Sequence, residues 1–321
     1  MLEIFAVTGP IFLTIGAGYA AVRAGLFSQT ELRVFGRFVI NLALPCLLFD
    51  AVARQQPSDL INPTYLLGYA GGSLAVLALG LYWGRRVAHQ DPSGAAYMAM
   101  GMCCSNSGYV GFPILLLTLP AVAGSALALN MVIENFIMLP LVLALAERGH
   151  GRPGAWHDVV AQSLRRLAVN PLVIGLVIGL AFALMGWRLS APAARTVTLF
   201  AQASSVLSLF VIGGTLAAVT AHGLGSRVAP IVVAKLLLHP LAVAGALWLA
   251  VAAGAPALSP DLQRAAILLA GMPMMGIYTL LALRHGHERM AAAAMFGATV
   301  GAFVTLNVML WALGLGGQAP V

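Results

Sequence analysis

Apolar residues run in blocks of about twenty, separated by short polar breaks. Ten blocks fit along the chain: residues 3–23, 33–53, 64–84, 95–118, 121–147, 168–187, 192–220, 228–253, 263–284 and 290–314. That length suits an α-helix crossing about 30 Å of hydrocarbon at about 1.5 Å per residue. The predicted fold is therefore an all-α polytopic membrane protein of ten spans. The fourth and ninth blocks are interrupted by Pro and Gly. The fourth, from Ala95 to Pro120, breaks at Ser105-Asn106-Ser107-Gly108-Tyr109-Val110-Gly111-Phe112-Pro113. The ninth, from Ala265 to Leu283, breaks at Gly271-Met272-Pro273-Met274-Met275-Gly276. Lipid cannot hydrogen-bond a freed backbone group, so an unwound stretch survives at that depth only inside protein or beside a watery cavity. Matched interruptions in the two halves of a chain point to the substrate site of a secondary transporter.

The two breaks lie five spans apart. Weaker marks recur at a spacing of 161 residues, Pro10 with Pro171 and Asn41 with Gln202. An odd number of spans per half inserts the second half upside down. Residues 1–160 and 161–321 are thus predicted to form two inverted five-helix repeats, with helices 4 and 9 crossing at their breaks. Half-helix ends at such a crossing carry partial charge, positive at the amides and negative at the carbonyls. The amide ends suit a carboxylate, and the carbonyl ends suit a cation or an Asn amide. Pro113 and Pro273 are expected early in the second half-helices, where a missing N–H costs little. Gly108, Gly111 and Gly276 are expected to permit the bend and the close approach.

Composition agrees with a bilayer as solvent. Of 321 residues 60% are hydrophobic and 8% charged, and the mean hydropathy is +0.93; a soluble domain carries about a quarter charged residues. The net charge of +7 reads as loop basicity, and no nucleic-acid partner is expected. With the N-terminus outside, the cytoplasmic side collects Arg23, Arg33, Arg37, Arg85, Arg86, Arg148, Arg152, Arg165, Arg166, Arg227, Arg284 and Arg289. The other side keeps Arg54, Arg188, Arg195 and Arg264. That asymmetry fits the positive-inside rule and puts both termini on the periplasmic side of a bacterial inner membrane. Trp83, Trp187, Trp248 and Trp311 fall near span ends, as interfacial aromatics do. Met1-Leu2-Glu3 offers no basic n-region, so the first block reads as a retained span. The polar stretch 147–167 is too short for a soluble domain. Cys46, Cys103 and Cys104 lack metal-ligand spacing and read as small hydrophobes.

Polar residues within the spans are the candidates for chemistry. Glu134 sits midway along span 5, with Asn130 one turn earlier and Asn135 beside it. A mid-bilayer charge costs about 2.5–3.5 kcal/mol on insertion scales, which marks a carboxylate there as functional. Desolvation favours its neutral form: either water reaches Glu134 during transport and it loads and releases a proton, or it stays protonated and hydrogen-bonded to a neighbouring helix. Lys235 and His239 lie four apart on one face of span 8, ahead of Pro240. Lys235 is about 10 Å from the cytoplasmic end and is expected to snorkel; the alternative pairs it with Glu134 or a substrate carboxylate. His239 is read as a helix-packing residue, with proton shuttling as the other role. Asn41 precedes Pro45 by four and either lines the path or bonds the kinked backbone, and Gln202, Ser205 and Ser208 hold the matching stretch of span 7. Gly175 and Gly179 predict close helix packing, with a homodimer face as the second reading. Met98, Met100, Met102, Met272, Met274 and Met275 surround the breaks as gap-fillers.

At Asn41-x-x-x-Pro45 with Phe49, Ser105-Asn106-x-Gly108-x-x-Gly111-x-Pro113, Lys235-Leu236-x-x-His239-Pro240 and Met272-Pro273, the chain resembles the auxin efflux carrier family in its short bacterial form. The resemblance spans essentially the whole chain, and the span 4 block is its most specific part. It implies ten spans with crossing broken helices 4 and 9, a scaffold domain of spans 1, 2, 6 and 7, and a transport domain of spans 3–5 and 8–10. It implies carriage of auxin or of small carboxylates such as malonate and malate, with Asn106 contacting a carboxylate. Substrate contact is assigned to Asn41, Ser105, Asn106, Gly108, Pro113, Met272, Pro273 and Tyr278, and coupling to Asn130, Glu134, Asn135, Lys235 and His239. Two departures stand out: Met274 and Met275 follow Pro273 where many relatives have small or hydroxylated residues, and Glu134 matches no family motif. The function expected is secondary or facilitated transport of a small organic anion by alternating access. No cofactor or metal is expected, and the candidate coupling ion is a proton or, in a sodium-coupled carrier of the same fold group, Na+. The absence of Walker A, His-Glu-x-x-His and nucleophile-elbow patterns argues against a primary pump or an intramembrane enzyme.

Overall fold

A computed structural model describes residues 2–53, 55, 62–148, 169–217, 225 and 228–315. The orientation charges Arg54, Arg152, Arg165, Arg166 and Arg227, and nearly all of the polar stretch 147–167, lie outside the described residues. The described chain is helical: α1 (Leu2–Arg23), α2 (Gln29–Ala53), α3 (Pro63–Arg86), α4 (Pro92–Cys103), α5 (Phe112–Thr118), α6 (Pro120–Glu147), α7 (Pro171–Met185), α8 (Ala191–Leu216), α9 (Ala229–Ala252), α10 (Pro260–Ala270), α11 (Tyr278–Leu283) and α12 (Glu288–Ala312). Six of these, α2, α3, α6, α8, α9 and α12, are continuous, long and apolar enough to cross a membrane. The other predicted spans are occupied by α1, by the shorter α7, and by the interrupted pairs α4/α5 and α10/α11.

Helix starts follow a common chemistry. Asn62, Asn170 and Ser259 each accept a backbone N–H in the first turn, and a proline follows each of them. The cap satisfies one orphan amide and the proline removes another. Ser28 and Glu31 form a reciprocal capping box at the start of α2.

Among the described residues four π turns stand in the helices, at Val39–Ala43, Ser107–Gly111, Ile133–Met138 and Ala234–Leu238. Each lies two residues before a proline: Pro45, Pro113, Pro140 or Pro240. In each, the residue just before that proline donates to the carbonyl five residues back, as Leu44 does to Val39 and His239 to Ala234. A proline has no N–H to give and crowds the carbonyl four residues back. One wide turn absorbs that misfit without ending the helix, and such turns gather at functional sites.

Small residues let the helices close. A Cβ on Gly213 of α8 would lie 1.8 Å from the Ile15 carbonyl oxygen of α1, and one on Gly175 of α7 would lie 2.5 Å from that of Pro45 in α2. Gly175 and Gly179 therefore pack on α2 of the same chain, in agreement with the helix-packing reading and not with the homodimer one. Trp187, Trp248 and Trp311 are well exposed, as lipid-facing aromatics are. The core gathers around α4, α6 and the two breaks, where Tyr65, Tyr69, Tyr97 and Tyr278 are fully buried.

Candidate functional site

The two interruptions meet. Between α4 and the turn before α5 the chain leaves the helix at Cys104-Ser105-Asn106, with Cys104 extended, and between α10 and α11 it is non-helical around Pro273. Ser105 and Met274 form an antiparallel bridge, and the Asn106 amide donates to the Pro273 carbonyl at 2.7 Å. Each unwound strand thus satisfies backbone groups of the other, which is what hydrocarbon surroundings demand. At Gly111 a Cβ would stand 2.4 Å from Leu269 Cδ2, so any side chain there would have to push that leucine tip aside. A Cβ at Gly108 would make ordinary contacts and one at Gly276 would meet nothing within 4 Å, so those two are not needed for close approach. Pro113 sits in the first turn of α5, as expected. Pro273 does not start its half-helix: α11 begins at Tyr278, and Pro273 lies in the non-helical crossing with its carbonyl turned to Asn106.

Charged side chains flank the crossing on both sides. Glu134, in the π turn of α6 and 2% exposed, accepts from the Ser105 amide at 2.9 Å and from the Ser107 hydroxyl at 3.2 Å through Oε1. Asn130 donates its side-chain amide to Ser107 Oγ, and its own Oδ1 is buried without a partner among the described residues. A carboxylate of the protein therefore already occupies the amide end expected to receive a ligand. The second half-helix is capped from within: Asn106 Oδ1 accepts from the Tyr109 amide at 3.2 Å. The Asn106 Nδ2 group has no partner among the described residues.

Lys235, from the π turn of α9, is fully buried. Its Nζ donates to Ser105 Oγ at 2.8 Å and to the Ala270 carbonyl, and lies 2.9 Å from His239 Nδ1. It points inward, against the expectation that it would snorkel. His239 Nε2 faces the Ser73 hydroxyl at 2.9 Å, and Nδ1 is 3.0 Å from the Ala270 carbonyl. When the ammonium donates to Nδ1, the ring proton sits on Nε2 and goes to Ser73. Tyr69 donates to Ser105 Oγ at 3.3 Å and stacks parallel to Tyr65. Among the described residues Glu134 and Lys235 make no direct ion pair; Ser105 stands between them.

The structure thus gathers Ser105, Asn106, Asn130, Glu134, Lys235, His239, Met272 and Pro273 at one place. It sets others apart. Asn41 is exposed and donates to the Arg37 carbonyl at 2.7 Å, Asn135 donates to the Met131 carbonyl at 2.9 Å, and Tyr278 donates to the Tyr97 carbonyl at 3.0 Å. Met98, Met100, Met102, Met272 and Met274 are buried around the crossing and Met275 is half-buried; Cys103 and Cys104 are free buried thiols and Cys46 is half-buried. Tyr65, Tyr69, Ser73 and Ser107 belong to the network although the sequence reading did not single them out. The first three recur every four residues along α3, a polar stripe on an otherwise apolar span. A cavity of about 330 Å³ opens beside α5, lined by Leu116 and Phe112 on that side and by Asp50, Gln55, Thr198, Gln202 and Ser205 of the α2 and α8 side.

A polytopic helical protein with two interrupted helices crossing inside its core has the build of a membrane transporter. The chain belongs to the membrane transport protein family, of auxin efflux carrier type: the family model matches residues 4–310. It is similar to the "Putative malonate transporter" of Rhizobium meliloti (strain 1021), 28% identical over 316 residues, which is 97% of this chain and 96% of that protein. It is also similar to the "Uncharacterized transporter YfdV" of Escherichia coli (strain K12), 28% identical over 240 residues, covering 73% of this chain and 75% of that protein.

Proposed function

We propose that the protein is a secondary carrier of a small organic anion, of the size of malonate or malate, that works by alternating access in a bacterial inner membrane. The observation that carries this reading is the Ser105–Met274 bridge, with the Asn106 Nδ2 group left over beside it. An amide donor without a protein partner, beside the unwound crossing, is suited to a carboxylate oxygen.

In this reading the ten spans form two inverted repeats of five. Close packing of α1 on α8 and of α2 on α7 supports it, because a two-fold that exchanges the halves turns one pair into the other. These four helices would be the scaffold, and α3–α6 with α9–α12 the moving part. The cavity between α5 and the α2/α8 side lies where those two bodies meet and would form part of the path. Both termini would face the periplasm, from the Arg asymmetry. Glu134 would carry the coupling proton, since it is the carboxylate that touches the crossing. Malonate, malate and monocarboxylates of matching size should be screened by thermal shift. Saturable stabilisation by a carboxylate, lost in Asn106→Ala, is the expected result; equal response of both proteins would remove Asn106 from the site.

A further inference from the structure

The carbonyl end of α10 is already occupied. Ala270 is the last residue of that half-helix, and among the described residues no backbone amide reaches its carbonyl. Such a group carries the negative end of the helix dipole and cannot be left bare in an apolar interior. It faces the Ser105 hydroxyl at 3.5 Å. Carbonyl and hydroxyl oxygens together at a helix break are the donor set that a hard monovalent cation takes at the midplane of a carrier. Here a side chain supplies the charge. Lys235 Nζ reaches Ala270 O, Ser105 Oγ and His239 Nδ1, one acceptor for each of the three protons of an ammonium group.

We infer that Lys235 is a tethered cation, holding the seat a coupling metal ion would otherwise take, so that the protein works without Na+ or K+. The inference rests on the carrier reading for its meaning, although the geometry stands without it. The chain brings its own positive charge from α9 to the crossing, and Ser105 passes the contact on to Glu134. Removing the ammonium while keeping its three acceptors should leave a vacancy that a small free cation fills.

The test uses thermal unfolding of the purified full chain with no anion substrate, in chloride salts of sodium, potassium, methylammonium and choline at equal ionic strength. Wild type is expected to unfold at one temperature in all four. Lys235→Ala is expected to gain a saturable rise of at least about 2 °C in sodium or methylammonium and none in choline, which is too large for the seat. Should that variant not fold, Lys235→Ala combined with Glu134→Gln removes the uncompensated carboxylate and carries the same expectation. A sodium-specific rise in the wild type would overturn the inference, as would a folded variant indifferent to all four salts. Failure of the carrier reading would leave these temperatures unchanged. Anion uptake that requires sodium would overturn the tethered cation and leave the carrier standing.

Discussion

Lys235 and Glu134 meet on a single residue, Ser105: the ammonium holds its hydroxyl at 2.8 Å and the carboxylate holds its amide at 2.9 Å. The two charges come from α9 and α6, and the residue between them lies in the unwound stretch after α4. Ionisable groups this deep are costly, and the cost is offset only by partners. Movement at the crossing is therefore felt by both charges, and a change at either is felt by the crossing.

Glu134→Gln tests the proton role. A glutamine oxygen still accepts from Ser105 and Ser107, so the fold and substrate binding should be kept. Exchange in liposomes should lose its dependence on pH. Lys235 and His239 face the same crossing, so the double variant with His239→Gln checks that no pH dependence persists through the imidazole. A pH profile in Glu134→Gln that matches wild type would end the assignment.

Asn106 does two jobs, and two substitutions separate them. Asn106→Asp keeps the oxygen that caps Tyr109 but replaces the free amide with negative charge. Asn106→Ala removes both, and loss of the cap costs about 1 kcal/mol of stability. Anion affinity should fall at least about tenfold in each, equivalent to about 1.4 kcal/mol, whereas the unfolding temperature should fall mainly in the Ala variant. Unchanged affinity in the Asp variant would place the carboxylate elsewhere.

Two glycines should differ sharply in their response to a methyl group. In Gly213→Ala the new carbon would lie 1.8 Å from the Ile15 carbonyl oxygen, and backbone cannot give way as a side-chain tip can. A loss of at least about 1–3 kcal/mol is expected. Gly276→Ala meets nothing within 4 Å and should unfold within about a degree of wild type. Thermal unfolding in detergent measures both.

Asp91, in the short connection between α3 and α4, sets an acid limb. Burial pulls its pKa upward, but the Ser93 hydroxyl, the His287 ring and the Gly94 and Ser93 amides outweigh this and hold it below the ordinary carboxylate value. Because the folded value is depressed, its contribution is present above the unfolded pKa of about 3.9 and is lost as pH falls through the folded one. The side chain is half exposed, so the effect is small and screened by salt. Asp91→Asn should unfold slightly below wild type at about pH 7, with the gap closing as the pH drops under about 4. A gap that widens in acid would contradict the assigned partners.

Much of this arrangement can be read from the residues alone, because lipid imposes simple rules. The blocks of apolar residues, the two interruptions and the inward carboxylate at Glu134 all follow from what a bilayer forbids. The partner of each buried charge does not follow. Lys235 could snorkel or turn inward, and the decision lies with Ser105 and Ala270, 130 and 35 residues away. Pro273 was expected at a helix start because that position suits proline, yet a strand pairing with Asn106 decided otherwise. A proline two residues past each π turn, at Pro45, Pro113, Pro140 and Pro240, places Asn41, Ser107, Glu134 and Lys235 in the widened stretch, four to six residues ahead of it. Only assembly of the helices tells which of these polar groups faces the crossing.

The central claim is carriage of a small organic anion through the crossing of the two broken helices. Uptake of radiolabelled malonate into liposomes holding the purified protein and unlabelled malonate tests it most directly. Saturable uptake, competed by malate and sharply reduced by Asn106→Asp, is the predicted result. Uptake no greater than in protein-free liposomes, across a panel of small mono- and dicarboxylates and with the protein shown to be folded, would contradict the account.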